Sequence, residues 1–264
     1  MAGAEPPARS WDATSYHAIS GPMVEMAERV LARLELTGDE TVLDAGCGTG
    51  RVTALLLDRL PRGRVLAVDA DADMVRVAAV TLAAHAERVR VEQLDLLDLT
   101  LDREVDAILS TATFHWVLDH DRLFAALHAA LRPGGRLVAQ CGGAGNVANV
   151  LDAASAVGSR PAWKASFEGW ERPMRYETAE ATAERLRASG FTAVECWLEP
   201  NPVVPDDPHV YLETIVLGAH VERLPTGRRD EFVTEVVDLL GTPVTIEYVR
   251  LNIDARRPEA GGRR

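Results

Sequence analysis

The stretch from Thr41 to Gly50, Thr-Val-Leu-Asp-Ala-Gly-Cys-Gly-Thr-Gly, decides the fold of this chain. An apolar strand runs into an acidic residue, Asp44, and then into three alternate glycines. Glycine has no Cβ, so it adopts positive φ angles and lets a ligand lie against bare backbone. A strand followed by such a turn and then by a helix predicts a ligand-binding loop in an α/β fold.

The residues around the glycines separate the ligands that such a loop can bind. A phosphate-binding P-loop ends in Gly-Lys-Ser/Thr, whereas Gly50 is followed by Arg51 and Val52. A dinucleotide fingerprint has the spacing Gly-x-Gly-x-x-Gly, and Asp44 would repel a pyrophosphate. A cationic ligand without phosphate is compatible with this carboxylate. S-adenosylmethionine is such a ligand, because its α-amino group and sulfonium are positive, and Asp44 lies where an ammonium can be held.

The string from Val42 to Gly50 resembles the first motif of class I S-adenosylmethionine-dependent methyltransferases. The resemblance implies an α/β fold with a Rossmann-like, doubly wound sheet of seven strands. Most of these strands are expected to be parallel, with an antiparallel last strand and helical lid insertions. The resemblance also implies S-adenosylmethionine as the cofactor, methyl transfer as the reaction, and no metal ion.

Hydrophobic periodicity predicts strands that alternate with helices, as in a parallel sheet with right-handed crossovers. Strands are predicted at 41–44, 64–69, 89–93, 105–110, 136–141, 193–198 and 244–252. Helices are predicted from Pro22 onward and at 52–60, 73–85, 123–131, 147–156, 179–189, 210–221 and 229–240. We expect a single domain over 1–264, with an N-terminal helical lid (1–40), a cofactor-binding core (41–141) and a substrate-side half that completes the sheet (142–264).

Composition and charge narrow the class of protein further. With 264 residues, 47% of them apolar, the chain can bury the core of one enzyme-sized domain. Its formal charge of −12 does not suit a nucleic-acid backbone, and no apolar run approaches the roughly 20 residues of a membrane span. We therefore expect a cytoplasmic monomer or homodimer that binds a small molecule, without a nucleic-acid or membrane partner. Cys47, Cys141 and Cys196 lack metal-ligand spacing and are expected to be reduced packing residues.

Asp69 ends the second predicted strand and is the candidate ligand of the cofactor ribose. A carboxylate at this place accepts hydrogen bonds from both ribose hydroxyls. The alternative is that Asp69 caps the following helix, a role that we assign mainly to Asp71 and Asp73.

Asp95 follows the third predicted strand and is the candidate acceptor for the adenine amine, because open α/β sheets bind ligands at the carboxyl ends of their strands. Asp98 and Asp102 are the alternatives at this position. Contacts with the adenine ring are expected from Ala70, Met74 and Leu96.

The exit of the fourth strand, from Ser110 to Val117, holds the candidate reaction site. His115 is either a general base for a hydroxyl acceptor or a positioning or structural residue, and no carboxylate partner is evident in the sequence. Trp116 offers an N–H donor and a broad apolar face, which suits a pocket wall.

The stretch Phe-His-Trp-Val at 114–117, with Asp119-His120 and the segment 131–137, is similar to the trans-aconitate methyltransferase group. It is also similar to malonyl-carrier and juvenile-hormone-type carboxyl methyltransferases, and the likeness covers roughly residues 11 to 141. The likeness implies that Tyr16 lies on a lid over the cofactor and that Trp116 helps to hold the acceptor. A carboxylate acceptor needs no base, because it is already an anion at neutral pH.

The C-terminal half contains aromatic and basic residues with two possible roles. Together they suit a pocket for an organic acid, or the aromatic residues form a small core under a lid while the arginines are solvated. Arginine is the general cation of this chain, since Lys164 is its only lysine. The residues are Trp163, Phe167, Trp170, Arg172, Arg175, Tyr176, Tyr211 and His220.

The sequence thus predicts methyl transfer from S-adenosylmethionine to a small molecule, with O-methylation as the leading hypothesis and a carboxylate as one candidate acceptor. The alternatives are N- or C-methylation of a secondary metabolite and a catalytically silent S-adenosylmethionine-binding protein. The candidate catalytic residues are His115 and Trp116. The candidate cofactor contacts are Tyr16, Asp44, Gly46, Cys47, Gly48, Gly50, Asp69, Ala70, Met74, Asp95, Leu96 and Ser110.

Overall fold

The strand that begins at Thr41 lies in the middle of a seven-stranded sheet. The structure is a computed structural model that describes residues 21–260, with side chains from Met26 onward. The strands are β1 (Thr41–Ala45), β2 (Arg64–Asp69), β3 (Val89–Gln93), β4 (Val105–Thr111), β5 (Leu131–Gly142), β6 (Thr192–Pro200) and β7 (Val249–Arg256). Their order is β3-β2-β1-β4-β5-β7-β6. The first five pair in parallel, and β7 is antiparallel to both β5 and β6. The predicted sheet, with its antiparallel last strand, is confirmed.

Helices cover both faces of this sheet. They are α1 (Gly21–Arg33), α2 (Arg51–Asp58), α3 (Ala72–Thr81), α4 (His120–Ala130), α5 (Ala148–Gly158), α6 (Lys164–Phe167), α7 (Ala179–Ala188), α8 (Pro208–Tyr211), α9 (Gly218–Val221) and α10 (Arg229–Leu240). In β1, Val42 packs with side chains of α1, α2 and α3, whereas Leu43 packs with those of α4 and α7. Burial on both faces explains why the strand reads as a continuous apolar run.

A separate apolar cluster lies among the C-terminal helices. Trp163 and Phe232 pack edge to face within it, with ring centroids 5.4 Å apart. Tyr248, just before β7, belongs to the same cluster. In the described part of the chain, no helix combines the length and the apolar character needed to cross a membrane.

Two elements in this C-terminal half, the last strand and the helix at 210–221, differ from the prediction. Residues 244–248 are not part of the last strand; they make an isolated bridge between Val203 and Ile246, and β7 continues to Arg256. Apolar residues alternate through both segments, so periodicity alone did not separate them. The single helix predicted at 210–221 is instead α8, a π-helical turn at Leu212–Val216, and α9.

The glycine turn after β1 is fixed by hydrogen bonds to the neighbouring strand. The backbone N–H groups of Gly46 and Cys47 both donate to the carbonyl of Val68 at 2.9 Å. Gly46, Gly48 and Gly50 have φ angles of 87°, 53° and 82°, as the sequence predicted. A Cβ on Gly46 would lie 2.1 Å from Thr113 Oγ1, whereas a Cβ on Gly48 would meet nothing within 4 Å.

We predict that Gly46→Ala destabilises the ligand-free protein much more than Gly48→Ala does. Both substitutions impose a positive φ on alanine, at a cost of roughly 1 kcal/mol, but only the first adds a steric clash worth about 1–3 kcal/mol more. Urea unfolding of the two variants and the wild type measures the difference. Equal losses of unfolding free energy would contradict the packing of Gly46 against Thr113.

Candidate active site

The candidate site lies at the topological switch point of the sheet, between β1 and β4. From β1 the chain builds β2 and β3 on one side and then crosses to β4 on the other side of β1. In open α/β sheets, the crevice at the carboxyl ends of two such strands binds ligands. Here the glycine turn after β1 meets the turn after β4, because Thr113 Oγ1 donates to the Gly46 carbonyl at 3.3 Å.

Asp69, at the end of β2, faces the glycine turn. Its carboxylate accepts hydrogen bonds from the N–H of Gly48 at 2.8 Å and from the N–H of Asp71 at 3.0 Å. Burial raises the pKa of Asp69, and the backbone hydrogen bonds oppose this shift. Asp71 caps α3 by accepting from the N–H of Met74, whereas Asp73 forms an ion pair with Arg76. Asp69 is therefore not the helix cap, and its role as a ribose ligand remains a prediction.

Asp44 is completely enclosed beneath the glycine turn. Its Oδ2 accepts from Thr53 Oγ1 at 2.6 Å, and its Oδ1 is buried without a hydrogen-bond partner among the described residues. Burial raises the pKa of this carboxyl to about 6; the Thr53 hydrogen bond opposes the shift and the negative charge of Asp69 adds to it. A buried acceptor of this kind fits a nearby cationic group, such as the ammonium of S-adenosylmethionine.

The residues predicted to contact adenine lie around the ends of β2 and β3. Gln93 Nε2 donates to the carbonyl of Ala70 at 3.1 Å, which holds the two strand exits together. Asp95 is exposed and caps a short 3-10 turn, since its Oδ1 accepts from the N–H of Leu97 at 2.8 Å. Met74 and Leu96 are buried and Ala70 is exposed. The second oxygen of Asp95 is the one that suits an adenine contact.

Three further candidate cofactor contacts are Ser110, Cys47 and Tyr16. Ser110 is only 1% exposed and donates to the carbonyl of Ala45 at 2.7 Å, so it joins β4 to β1, and its role as a cofactor contact remains a prediction. Cys47 is buried, and burial raises the pKa of its thiol, which agrees with a packing role. Tyr16 lies outside the described residues.

A cavity opens beside the exit of β4. Its wall combines residues from the end of β4 with residues from the C-terminal half of the chain. The lining residues are Ala112, His115, Trp116, Asn146, Val147, Met174, Tyr176, Ile215, Val216, Tyr248 and Arg250. The structure thus brings the two predicted catalytic residues to one cavity, together with Tyr176 from the C-terminal candidates.

His115 lies in a 3-10 turn directly after β4, and its ring is buried. Its Nδ1 accepts from the N–H of Gly142 at 3.3 Å, so the neutral ring carries its proton on Nε2. Burial lowers the pKa of His115 to about 3, and the positive charges of Arg250 and His120 lower it further. A histidine with this pKa is a poor base at neutral pH and a good neutral hydrogen-bond donor.

Arg250, on β7, is the functional candidate that sequence reasoning missed. It is 4% exposed and lines the cavity, and its Nε donates to Gln140 Oε1 at 3.4 Å. No carboxylate in the described part of the chain forms an ion pair with it. Polar residues alternate with apolar ones around it in β7, a pattern that reveals a polar face but not its burial.

The guanidinium of Arg250 is anchored by a buried chain of amides. Gln140 Nε2 donates to Asn252 Oδ1 at 2.9 Å, which leaves Gln140 Oε1 to accept from Arg250. Asn252 Oδ1 also accepts from Arg33 at the end of α1, and Asn252 Nδ2 donates to Glu199 Oε2 at 3.1 Å. With every partner fixed, the Gln140 amide has one favoured orientation.

Most of the other C-terminal candidates are structural. Phe167, Trp170 and His220 form an aromatic cluster with Phe232. Trp163 is buried and donates to Glu235, and the Tyr211 hydroxyl lies 3.1 Å from that of Tyr248. Arg172 is exposed, and Arg175 forms an ion pair with Glu177. For these aromatic residues, the alternative of a small core is the correct one.

Comparison with known proteins agrees with this geometry. Phosphoethanolamine N-methyltransferase 2 of Haemonchus contortus, solved with S-adenosyl-L-methionine, has a similar fold, with a TM-score of 0.63 and 18% identity. The match covers 94% of this chain and 57% of that one. A family described as a methyltransferase domain matches residues 42–135. This match agrees with the methyltransferase domain that the glycine turn predicts.

Relatives of this methyltransferase domain support the predicted likeness to the trans-aconitate group. The trans-aconitate 2-methyltransferase of Azoarcus sp. (strain BH72) is 38% identical over 131 residues, which is 50% of each chain. The malonyl-[acyl-carrier protein] O-methyltransferase of Methylococcus capsulatus is 30% identical over 185 residues, 69% of this chain and 63% of that one. The chain thus spans about half to two thirds of the length of these curated relatives.

We predict that S-adenosylmethionine binding near pH 6 releases a proton from Asp44. The carboxyl is about half protonated at this pH in the ligand-free protein, and a bound cation favours its ionised form, so the pKa falls on binding. Calorimetry at pH 6 in two buffers of different ionisation enthalpy measures the released proton. Asp44→Asn, which cannot titrate, is the control. Identical binding enthalpies for the wild type in both buffers would rule out the linkage.

Proposed function

We propose that this chain transfers a methyl group from S-adenosylmethionine to a carboxylate oxygen of a small organic acid and thereby forms a methyl ester. The observation that carries the proposal is Arg250, a buried cation in the wall of the cavity. A charge in such a place requires a partner of opposite sign, and a carboxylate substrate supplies one with two well-placed oxygens.

The cofactor side of the site supports the donor in this proposal. In this proposal the buried Oδ1 of Asp44 accepts from the ammonium of the cofactor. Asp69, beside the glycine turn, binds the ribose hydroxyls, and Asp95, after β3, accepts from the adenine amine. S-adenosylmethionine, when bound, supplies the methyl group, since its carbon–sulfur bond breaks with the electron pair returning to sulfur as the acceptor oxygen bonds to carbon. The positive sulfonium and the negative carboxylate are both neutralised.

The state of His115 supports a carboxylate acceptor over a hydroxyl. A hydroxyl has to lose its proton to a base, and His115, with a pKa lowered to about 3, is a poor base. A carboxylate is already ionised at neutral pH and needs hydrogen-bond donors instead. Nε2–H of His115 is such a donor, and we assign to it the second contact with the acid, opposite Arg250.

The two halves of the chain contribute different parts to this proposed reaction. The cofactor-binding core supplies the glycine turn and His115, whereas the substrate-side half supplies Arg250, Tyr176 and Tyr248. Alignment of the acceptor oxygen with the methyl–sulfur bond and exclusion of water are then the main catalytic contributions, worth about 7–11 kcal/mol. Because both halves contribute to one site, we propose that they belong to a single domain.

We predict that Arg250→Gln lowers kcat/KM for an acid acceptor by about 10²–10³-fold and leaves the dissociation constant of S-adenosylmethionine unchanged. Loss of one partner of a buried charge pair costs roughly 2–5 kcal/mol. Formation of S-adenosylhomocysteine with a panel of acids gives the rates, and calorimetry gives the cofactor affinity.

Two controls sharpen this test. Arg172→Gln removes an exposed arginine that does not line the cavity, and should leave kcat/KM unchanged. Gln140→Glu keeps an acceptor beside Arg250 but supplies it with an internal carboxylate, so it should raise KM for the acid. Tight cofactor binding without turnover of any acid would favour the catalytically silent alternative, and turnover only with amines would favour N-methylation.

We predict that kcat/KM for the acid, measured with saturating S-adenosylmethionine so that Asp44 stays ionised, shows no rising limb between pH 6 and 9, because His115 is already neutral throughout this range. A rise with a midpoint near the ordinary histidine pKa of about 6.5 would indicate a general base instead. His115→Gln, which retains a donor, should keep more activity than His115→Phe, which has none. Equal losses in both variants would remove the proposed hydrogen bond.

A further inference from the structure

We infer that the acceptor is a monocarboxylic acid with an apolar or aromatic body rather than a di- or tricarboxylic acid. This inference rests on the proposed methylation of a carboxylate and specifies which acids the cavity takes. It follows from the number of charged groups in the cavity wall and from the chemistry of the remaining surface.

Arg250 is the one charged side chain among the described residues that line the cavity. The nearby Arg172 is exposed and is not part of the wall, and Arg175 is paired with Glu177. One cation can neutralise one carboxylate. A second or third carboxylate in this cavity would be buried without a counter-charge, which is strongly unfavourable.

The polar groups of the wall other than Arg250 and His115 are already engaged within the protein. Asn146 Oδ1 accepts from the N–H of Val249 at 3.1 Å, and the Tyr176 hydroxyl donates to Met174 Sδ at 3.3 Å. The hydroxyl of Tyr248 lies 3.1 Å from that of Tyr211. A further carboxylate would have to break these hydrogen bonds before it gained its own.

The remaining wall is apolar and lies around the charged end. Aliphatic and thioether side chains come from four separate segments: Ala112, Val147, Met174, Ile215 and Val216. The ring centroid of His115 lies 5.6 Å from that of Tyr176 and 5.2 Å from that of Trp116. A hydrocarbon chain or an aromatic ring gains from burial against such a surface, at about fourfold in affinity for each methylene group.

The site therefore has one polar end, made by Arg250 and His115, and an apolar body. The carboxylate of an amphipathic acid would form an ion pair with Arg250, and the hydrocarbon part of the acid would pack against the apolar wall.

The experiment compares two classes of acid with the full chain and S-adenosylmethionine. The monocarboxylates are butanoate, hexanoate, octanoate and phenylacetate; the polyacids are trans-aconitate and citrate. Production of S-adenosylhomocysteine gives kcat/KM, and mass spectrometry identifies the methyl ester. We expect kcat/KM to rise by about fourfold per methylene from butanoate to octanoate. We also expect octanoate to exceed trans-aconitate by about 100-fold or more, because the polyacid buries unpaired charge.

Ile215→Ala, which shortens the apolar wall, provides a second measurement. It should lower kcat/KM for octanoate by about tenfold and that for butanoate by less, since the longer acid covers more of the apolar wall. Leu239→Ala is the matched control, because Leu239 is exposed and outside the cavity. The series of acids on the wild type remains decisive if the Ile215 variant does not fold.

The outcomes distinguish this inference from the proposed function. Esterification of trans-aconitate in preference to the monocarboxylates, or rates independent of chain length, overturns the inference and leaves carboxylate methylation intact. Failure of every acid to yield an ester, with cofactor binding seen by calorimetry, overturns both.

Discussion

The attachment of the glycine turn to β2 is the constraint on which the rest of the site depends. Two successive N–H groups, of Gly46 and Cys47, share the carbonyl of Val68, and the next donor, of Gly48, reaches the carboxylate of Asp69. These bonds hold the chain close to the sheet immediately after β1. Because Gly46 has no Cβ, Thr113 packs directly against the turn and joins the two sides of the crevice between β1 and β4.

Charge is distributed unevenly about this crevice. Asp44 and Asp69 lie on the proposed cofactor side, where burial and, to a smaller extent, the charge of Asp69 raise the pKa of Asp44, whereas Arg250 lies in the wall of the acceptor cavity. Asp44 and Arg250 are buried, Asp69 is half-buried, and the protein satisfies these charges only in part. In the proposed reaction the ligands supply the missing partners, a cationic donor to the acidic side and an anionic acceptor to the basic side. Selectivity for both ligands thus arises from incomplete internal pairing.

The acceptor side also depends on a part of the molecule that is far from it in sequence. Arg33 at the end of α1, Asn252 on β7 and Gln140 on β5 form a continuous set of hydrogen bonds that ends at Arg250. Asn252 is fully buried between strands. Buried polar side chains lower the stability of the fold unless they form hydrogen bonds. Here the hydrogen bonds between these side chains also fix the position of the Arg250 guanidinium.

The sequence by itself determined the glycine turn, the parallel sheet with its antiparallel last strand, and the exit of β4 as the place of His115 and Trp116. These features depend on local patterns: glycine spacing, apolar runs and the alternation of strands with helices. Only the tertiary structure decided the burial of His115, the hydrogen bond from Ser110 to β1 and the place of Arg250 in the cavity wall. The pKa of His115 depends on burial and on Arg250, 135 positions away in the chain. Whether an arginine in an alternating strand faces water or a cavity is set by the elements that pack over it, and these are known only once the chain is folded.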